Sequence, residues 1–205
     1  MVIRTFFDKN NTIIKNSYLN TGRNPVTELF YGGTDEDRSY SRFLFHFDTD
    51  RLISLYTGGT FTDLSKLKHS LKLTNTGSFN YDLLNGTMGN KDRACSFDLI
   101  VFPITQDWDE GVGYDFQECG LILGNNAVSY SPSYWLYSKT GYNWSGGSGT
   151  YSGTPTTIST QHFDLGNENI SLDITDFING VLTGDTCYGL GLAFAQQYEL
   201  TNTNC

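Results

Sequence analysis

YSRFLFHFDTD, residues 40–50, is the stretch on which the fold reading turns, because its large apolar residues alternate. In an extended strand successive side chains point to opposite faces, so Phe43, Phe45 and Phe47 share one side while Leu44 and His46 share the other. The phenylalanine side is expected to enter a core. Leu44 on the opposite side predicts that the strand is covered on both faces at one end.

Similar alternation recurs on either side of this stretch. SKLKHSLKLTNTG (65–77) alternates through His69, Leu71 and Leu73, and ACSFDLIVFPI (94–104) through Cys95, Phe97, Leu99 and Val101. CYGLGLAFAQQYEL (187–200) reads as a strand with Tyr188, Leu190, Leu192 and Phe194 on one face. Gly- and Asn-rich pieces such as NGTMGNKD (85–92) are turns between them. ISLDITDFINGVLTG (170–184) starts like a strand and continues as a short helix near residues 175–182. Thr175 or Asp173 is a suitable cap for that helix, Phe177, Ile178 and Val181 face inward, and Gly180 or Gly184 is its stop. SYWLYSKTGYNWSGGSGTYSGTPTT (133–157) has no helical period, and its aromatics are too bulky and uneven for a disordered linker, so it reads as long loops around short strands. Many short strands, one late helix and no strand–helix alternation predict an all-β chain, a jelly-roll-like antiparallel β-sandwich. One domain spanning residues 1–205, with an irregular insertion around 117–160, is the economical organisation.

At 205 residues the chain is long enough to bury a sizeable core. Lys and Arg number 13 against 22 Asp and Glu, a net charge of −9 with the basic residues scattered, so nucleic acid is not an expected partner. No run of apolar residues is long enough to insert in a membrane. MVIRTFFDKNN turns polar at Asp8 and lacks the pattern of a secretory signal. Cys95, Cys119, Cys187 and Cys205 are far apart without a CxxC pair, and are expected as free thiols rather than a disulfide framework or metal site.

QDWDEGVGYDF (106–116) sets Asp107, Asp109, Glu110 and Asp115 around Trp108 and poses the question of a carboxylate active site. Adjacent residues in an extended segment face apart, which makes Asp109 and Glu110 a poor pair, whereas Asp107 and Asp109 could share a face. The preferred reading buries Trp108 between sheets at a strand end, with Asp109 or Glu110 accepting from nearby backbone N–H groups; a calcium site of carboxylates and carbonyls is the next alternative. His46, His69 and His162 have no Ser or Cys partner in a recognisable turn and no zinc-ligand spacing. The Gly-rich SGGSGTYSGT lacks the Lys of a phosphate loop. No catalytic residue, metal or cofactor is expected. Tyr134, Trp135, Tyr137, Tyr142 and Trp144 are the candidates for a protein interface or a glycan platform, since loop aromatics bury much area at small entropic cost.

The order of features resembles the jelly-roll module called the DNRLRE domain. NTGRNPVTELFYGG (20–33), YSRFLFHFD (40–48), FDLIVFPITQDWDEG (97–111), YNWSGG (142–147) and LDITDFINGVLTGDTCYGLGLAF (172–194) carry the likeness, with Arg42, Asp48, Trp108, Glu110, Asp173, Thr175 and Gly189 as its landmarks. The resemblance implies a sandwich in which these residues are structural, with Arg42 in an ion pair to an acid such as Asp48 or Asp173. It also implies a non-catalytic module of surface, polysaccharide-binding or phage tail, neck and capsid proteins. An acidic, leaderless chain rich in Tyr, Asn and Gly fits a bacteriophage virion subunit, made in the host cytoplasm and held by contacts to other virion proteins or to copies of itself. A carbohydrate-binding module or host-surface adhesin, with a glycan as partner, is the alternative.

Overall fold

The computed structural model describes residues 2–32, 39–76, 96–113, 132–164, 166 and 168–200. Its strands are β1 (Phe7–Ile14), β2 (Tyr31–Gly32), β3 (Ser39–Phe47), β4 (Ser70–Leu73), β5 (Phe97–Pro103), β6 (Tyr137–Lys139), β7 (Tyr142–Asn143), β8 (Ser159–Phe163), β9 (Ile170–Asp173) and β10 (Leu190–Phe194). Three helices accompany them among the described residues: α1 (Asp50–Thr57), α2 (Thr175–Thr183) and α3 (Gln196–Leu200). The central sheet runs β1-β3-β10-β5-β8 with every pair antiparallel, and β2 pairs with the start of β3. β4 with β9 and β6 with β7 form two separate ribbons.

This is a mixed α and β fold in which no sheet closes as a sandwich or barrel, and it corrects the expected all-β jelly roll. The strand pattern does locate the faces of the sheet. Phe43, Phe45 and Phe47 of β3 enter one core with Leu99, Val101, Leu190 and Leu192, while Leu44 enters another with Ile13, Trp108, Trp135 and Trp144. What covers each face differs from a second sheet. On the phenylalanine side the cover is Leu52 of α1, Ile178 and Leu182 of α2, and the β4–β9 ribbon through Leu71 and Leu172. On the Leu44 side it is the irregular segment around Trp135 and Trp144 together with the Trp108 loop. Alternation in a strand reports that a face is buried, and it carries no information about the element that buries it.

Helix α1 is the element the strand reading passes over. It begins three residues after β3 ends, where the Asp48 carboxylate accepts from the Asp50 N–H at 2.8 Å, and it stops where the Gly58 N–H returns to the Ser54 carbonyl. Eight residues give only two turns, too few for a periodic signal behind a strong strand. Helix α2 occupies nearly its expected range. Asp173 accepts from the Thr175 N–H at 2.8 Å, Ile178, Val181 and Leu182 are buried, and the stop is Gly184 rather than Gly180. Thr175 also accepts from the His69 N–H at 2.9 Å, which fastens the helix start to β4. The segment 187–200, expected as one strand, is divided between β10 and α3.

Candidate functional site

The loop that follows β5 brings the acidic stretch to the edge of β1. Trp108 is 1 % exposed, its indole N–H donates to the Tyr188 carbonyl at 2.8 Å, and the Lys9 ammonium lies 4.4 Å from the ring centroid. It packs between the central sheet and the covering loops, where the sequence places it between two sheets. The side chains of Asp107 and Glu110 and the backbone of Asp109 hold the loop. Asp107 receives both Lys9, at 3.3 Å, and Lys139, at 2.5 Å. Partial burial pulls the Asp107 carboxyl upward, but the Lys139 hydrogen bond and the Lys9 charge outweigh it and hold it below the usual range. Glu110 accepts from the Asn10 N–H at 3.3 Å. The Asp109 backbone bridges to Ser138 and Ser133 at 2.9 and 3.2 Å. Asp115 lies outside the described residues, as do Cys95, Cys119 and Cys205; Cys187 is a free thiol.

Two glycines let this loop close on the chain. Gly22 and Gly111 meet backbone to backbone: a β-carbon on Gly22 would overlap the Gly111 carbonyl, and one on Gly111 would overlap the Gly22 nitrogen and the Asn11 side chain. The Asn20 carboxamide accepts from the next two N–H groups, Val112 and Gly113, at 2.9 and 3.1 Å.

Arg42 lies on the Leu44 side of β3, fully enclosed. Its Nε and Nη2 donate to the two carboxylate oxygens of Glu199 at 3.0 and 2.6 Å, a fork-to-fork pair whose members are 3 % and 2 % exposed. Nη1 donates to the Gly149 carbonyl at 2.5 Å, and the guanidinium lies 3.5 Å from the Tyr151 ring and 4.9 Å from that of Trp135. Burial drives the Tyr151 phenol far above its ordinary range. The partners expected for Arg42 are occupied elsewhere. Asp48 sits six residues along the strand, about 20 Å away in extended chain, and caps α1; Asp173 caps α2 on the other side of the sheet.

The five aromatic candidates separate into two groups. Trp135 and Trp144 are buried and cover the sheet, with the Trp144 indole N–H donating to the Tyr134 carbonyl at 2.8 Å. Their rings are not presented to solvent in this structure. Tyr134 is buried as well, at 9 % exposed, with its ring against Tyr137, 5.2 Å between centroids, and against Tyr18, 5.3 Å. Tyr18 is 61 % exposed, and Tyr142, across the β6–β7 ribbon from Lys139, is 66 % exposed. Tyr18 is missing from the sequence-based set because it lies far from the aromatic run and in no strand pattern. Its signal is only the exposed end of a turn, KNSY, where Asn16 adopts φ 56.

Among the described residues no three His, Cys, Asp or Glu are placed to hold a metal, and no helix is long and apolar enough to cross a membrane. Two of the three histidines pair with acids: His46 with Asp8 at 2.6 Å and His162 with Asp98 at 2.7 Å. No protein-family model, curated protein or solved structure matches the chain.

Proposed function

We propose that this chain is a non-enzymatic structural subunit of a phage virion, docking on neighbouring protein through the exposed tyrosines Tyr18 and Tyr142. The observation that carries the reading is that Tyr18 stands exposed with its ring packed on buried Tyr134, which also packs on Tyr137, while Tyr142 is exposed on the same segment as buried Trp135 and Trp144. Tyrosine supplies wide contact area with few rotamers to freeze and a hydroxyl for the polar rim, the composition favoured at protein interfaces. The buried tryptophans and the Trp144–Tyr134 hydrogen bond fix the cluster before binding, so less entropy is lost on docking. Asp107 and Glu110 beside Trp108 are engaged by Lys9, Lys139 and Asn10, which supports a scaffolding role for these two over acid–base work.

The virion setting rests on the acidic, Tyr-, Asn- and Gly-rich sequence. The sandwich that the DNRLRE resemblance implies is absent, so the docking part of the reading rests on the exposed tyrosines. The test is incorporation into particles by Tyr18→Ala and Tyr142→Ala chains that remain folded. Reduced incorporation is the expected result. Normal incorporation, with saturable binding to a glycan array that these changes abolish, would establish the carbohydrate-binding alternative in its place.

A further inference from the structure

Three costly features meet at one point of the fold. Thr150 has φ 88, a left-handed conformation that a β-branched residue strongly avoids, and its buried hydroxyl has no partner. Next to it, Gly149 at φ 74 donates its N–H to the Trp135 carbonyl at 2.6 Å and gives its own carbonyl to Arg42. The third feature is the buried pair of Arg42 with Glu199, which exacts a desolvation cost that apolar residues of the same size would avoid. Strain and buried charge persist only where the surrounding contacts over-determine them.

The contacts that do so come from the last helix. Glu199 is on α3, a helix of five residues, and Tyr151 donates its hydroxyl to both Glu199 oxygens at 3.4 Å. Thr154 joins Gln196 at 2.6 Å. Arg42, fixed on the central sheet, thus grips the loop through the Gly149 carbonyl and Tyr151 ring and grips α3 through Glu199. The loop in turn holds Trp135, whose neighbour Tyr134 is buried beneath the exposed Tyr18 ring.

We propose that α3 is a releasable latch: Glu199 seated on Arg42 holds residues 146–151 in their strained form, and its withdrawal lets that segment relax and loosens the tyrosine surface. The role in docking rests on the function proposed above, while the coupling of α3 to the loop stands independently of it. Amide hydrogen exchange on the full chain tests the coupling. In the unmodified protein the loop amides of Gly147, Gly149 and Ser152 and the α3 amide of Tyr198 share one opening, faster than that of β3 and β10. Glu199→Gln speeds exchange at these sites on the order of tenfold or more without moving β3 or β10. Thr150→Gly in the Glu199→Gln background slows it again, because the strain that drives release is gone. Exchange of the loop in step with β3 and β10 in the unmodified chain, or no response to Glu199→Gln, would overturn the latch. If Glu199→Gln does not fold, the unmodified chain alone decides. A latch seen by exchange in a protein whose particle incorporation ignores the tyrosines would refute the docking surface and leave the latch standing.

Discussion

Replacing Trp108 with alanine is expected to lower the free energy of unfolding by about 3–5 kcal/mol. The ring is 1 % exposed and packs against Ile13, Leu44, Ile104 and the other two tryptophans. An aromatic of this kind removes roughly 150–250 Å² from water, worth about 4–6 kcal/mol at about 25 cal/mol per Å². Collapse of the site recovers part of that, and the orphaned Tyr188 carbonyl and the Lys9 ammonium above the ring return part of the loss. Trp108→Phe separates the two contributions: it keeps most of the packing and leaves the Tyr188 carbonyl unpaired, for about 1–3 kcal/mol. Glu110→Gln removes the charge but keeps an oxygen that can accept from the Asn10 N–H near solvent, and should cost no more than about 1 kcal/mol. Urea denaturation of the three variants, followed by circular dichroism, gives midpoints from which the differences follow if the slopes agree. A Trp108→Ala loss below about 1 kcal/mol, or a Glu110→Gln loss equal to it, would refute the assignment of Trp108 as anchor and the acids as its surround.

Gly111→Ala should destabilise by about 1–3 kcal/mol in the same denaturation assay, because its β-carbon meets Gly22 backbone and the buried Asn11 side chain, neither of which can swing away; a neutral result would show that the two loops are not in contact. His69 and His162 should titrate on opposite sides of the ordinary histidine value of 6.5 when followed by NMR. Burial lowers His69 against the opposing pull of Asp173, so its contribution to stability is present above 6.5 and is lost as pH falls through the lowered folded value. The Asp98 hydrogen bond raises His162, so its contribution is present below 6.5 and is lost as pH rises through the raised value. Coincident titrations would contradict both environments.

How far the sequence carries can be read from single residues. The two faces of β3 were legible because period two is enforced by backbone geometry, whatever lies above the strand. The same is true of α2, whose Asp173 cap, inward Ile178 and Val181, and terminal glycine are all local. The covering layers were not legible. Two turns of α1 and the aperiodic cover from Ser133 to Tyr151 leave no repeating signature, so a sheet flanked by helices on one side and loops on the other has the same strand pattern as a sandwich. Tyr142 and Trp144 likewise stand two residues apart in one aromatic segment; only the path of the chain decides that the tryptophan is buried while Tyr142 is exposed.

The Arg42 pairing shows what a stricter physical reading would have recovered. Arg42 stands in a strand that is buried on both faces, so its guanidinium has to meet a carboxylate that is itself enclosed. Asp48 adjoins the polar turn DTD, and Asp173 precedes a helix start where a capping role is already available to it, so each has a local use for its charge. Glu199, in AFAQQYEL, is the acid set among Phe194, Tyr198 and Leu200, and no neighbouring backbone claims it. An acid in apolar company is costly unless an equally buried cation answers it, and the same holds for Arg42 among Phe43 and Leu44. The two anomalies, separated by 157 residues, account for each other. That mutual need draws α3 across the loop bearing Gly149 and Tyr151 and joins α3 to the layer that carries Trp135.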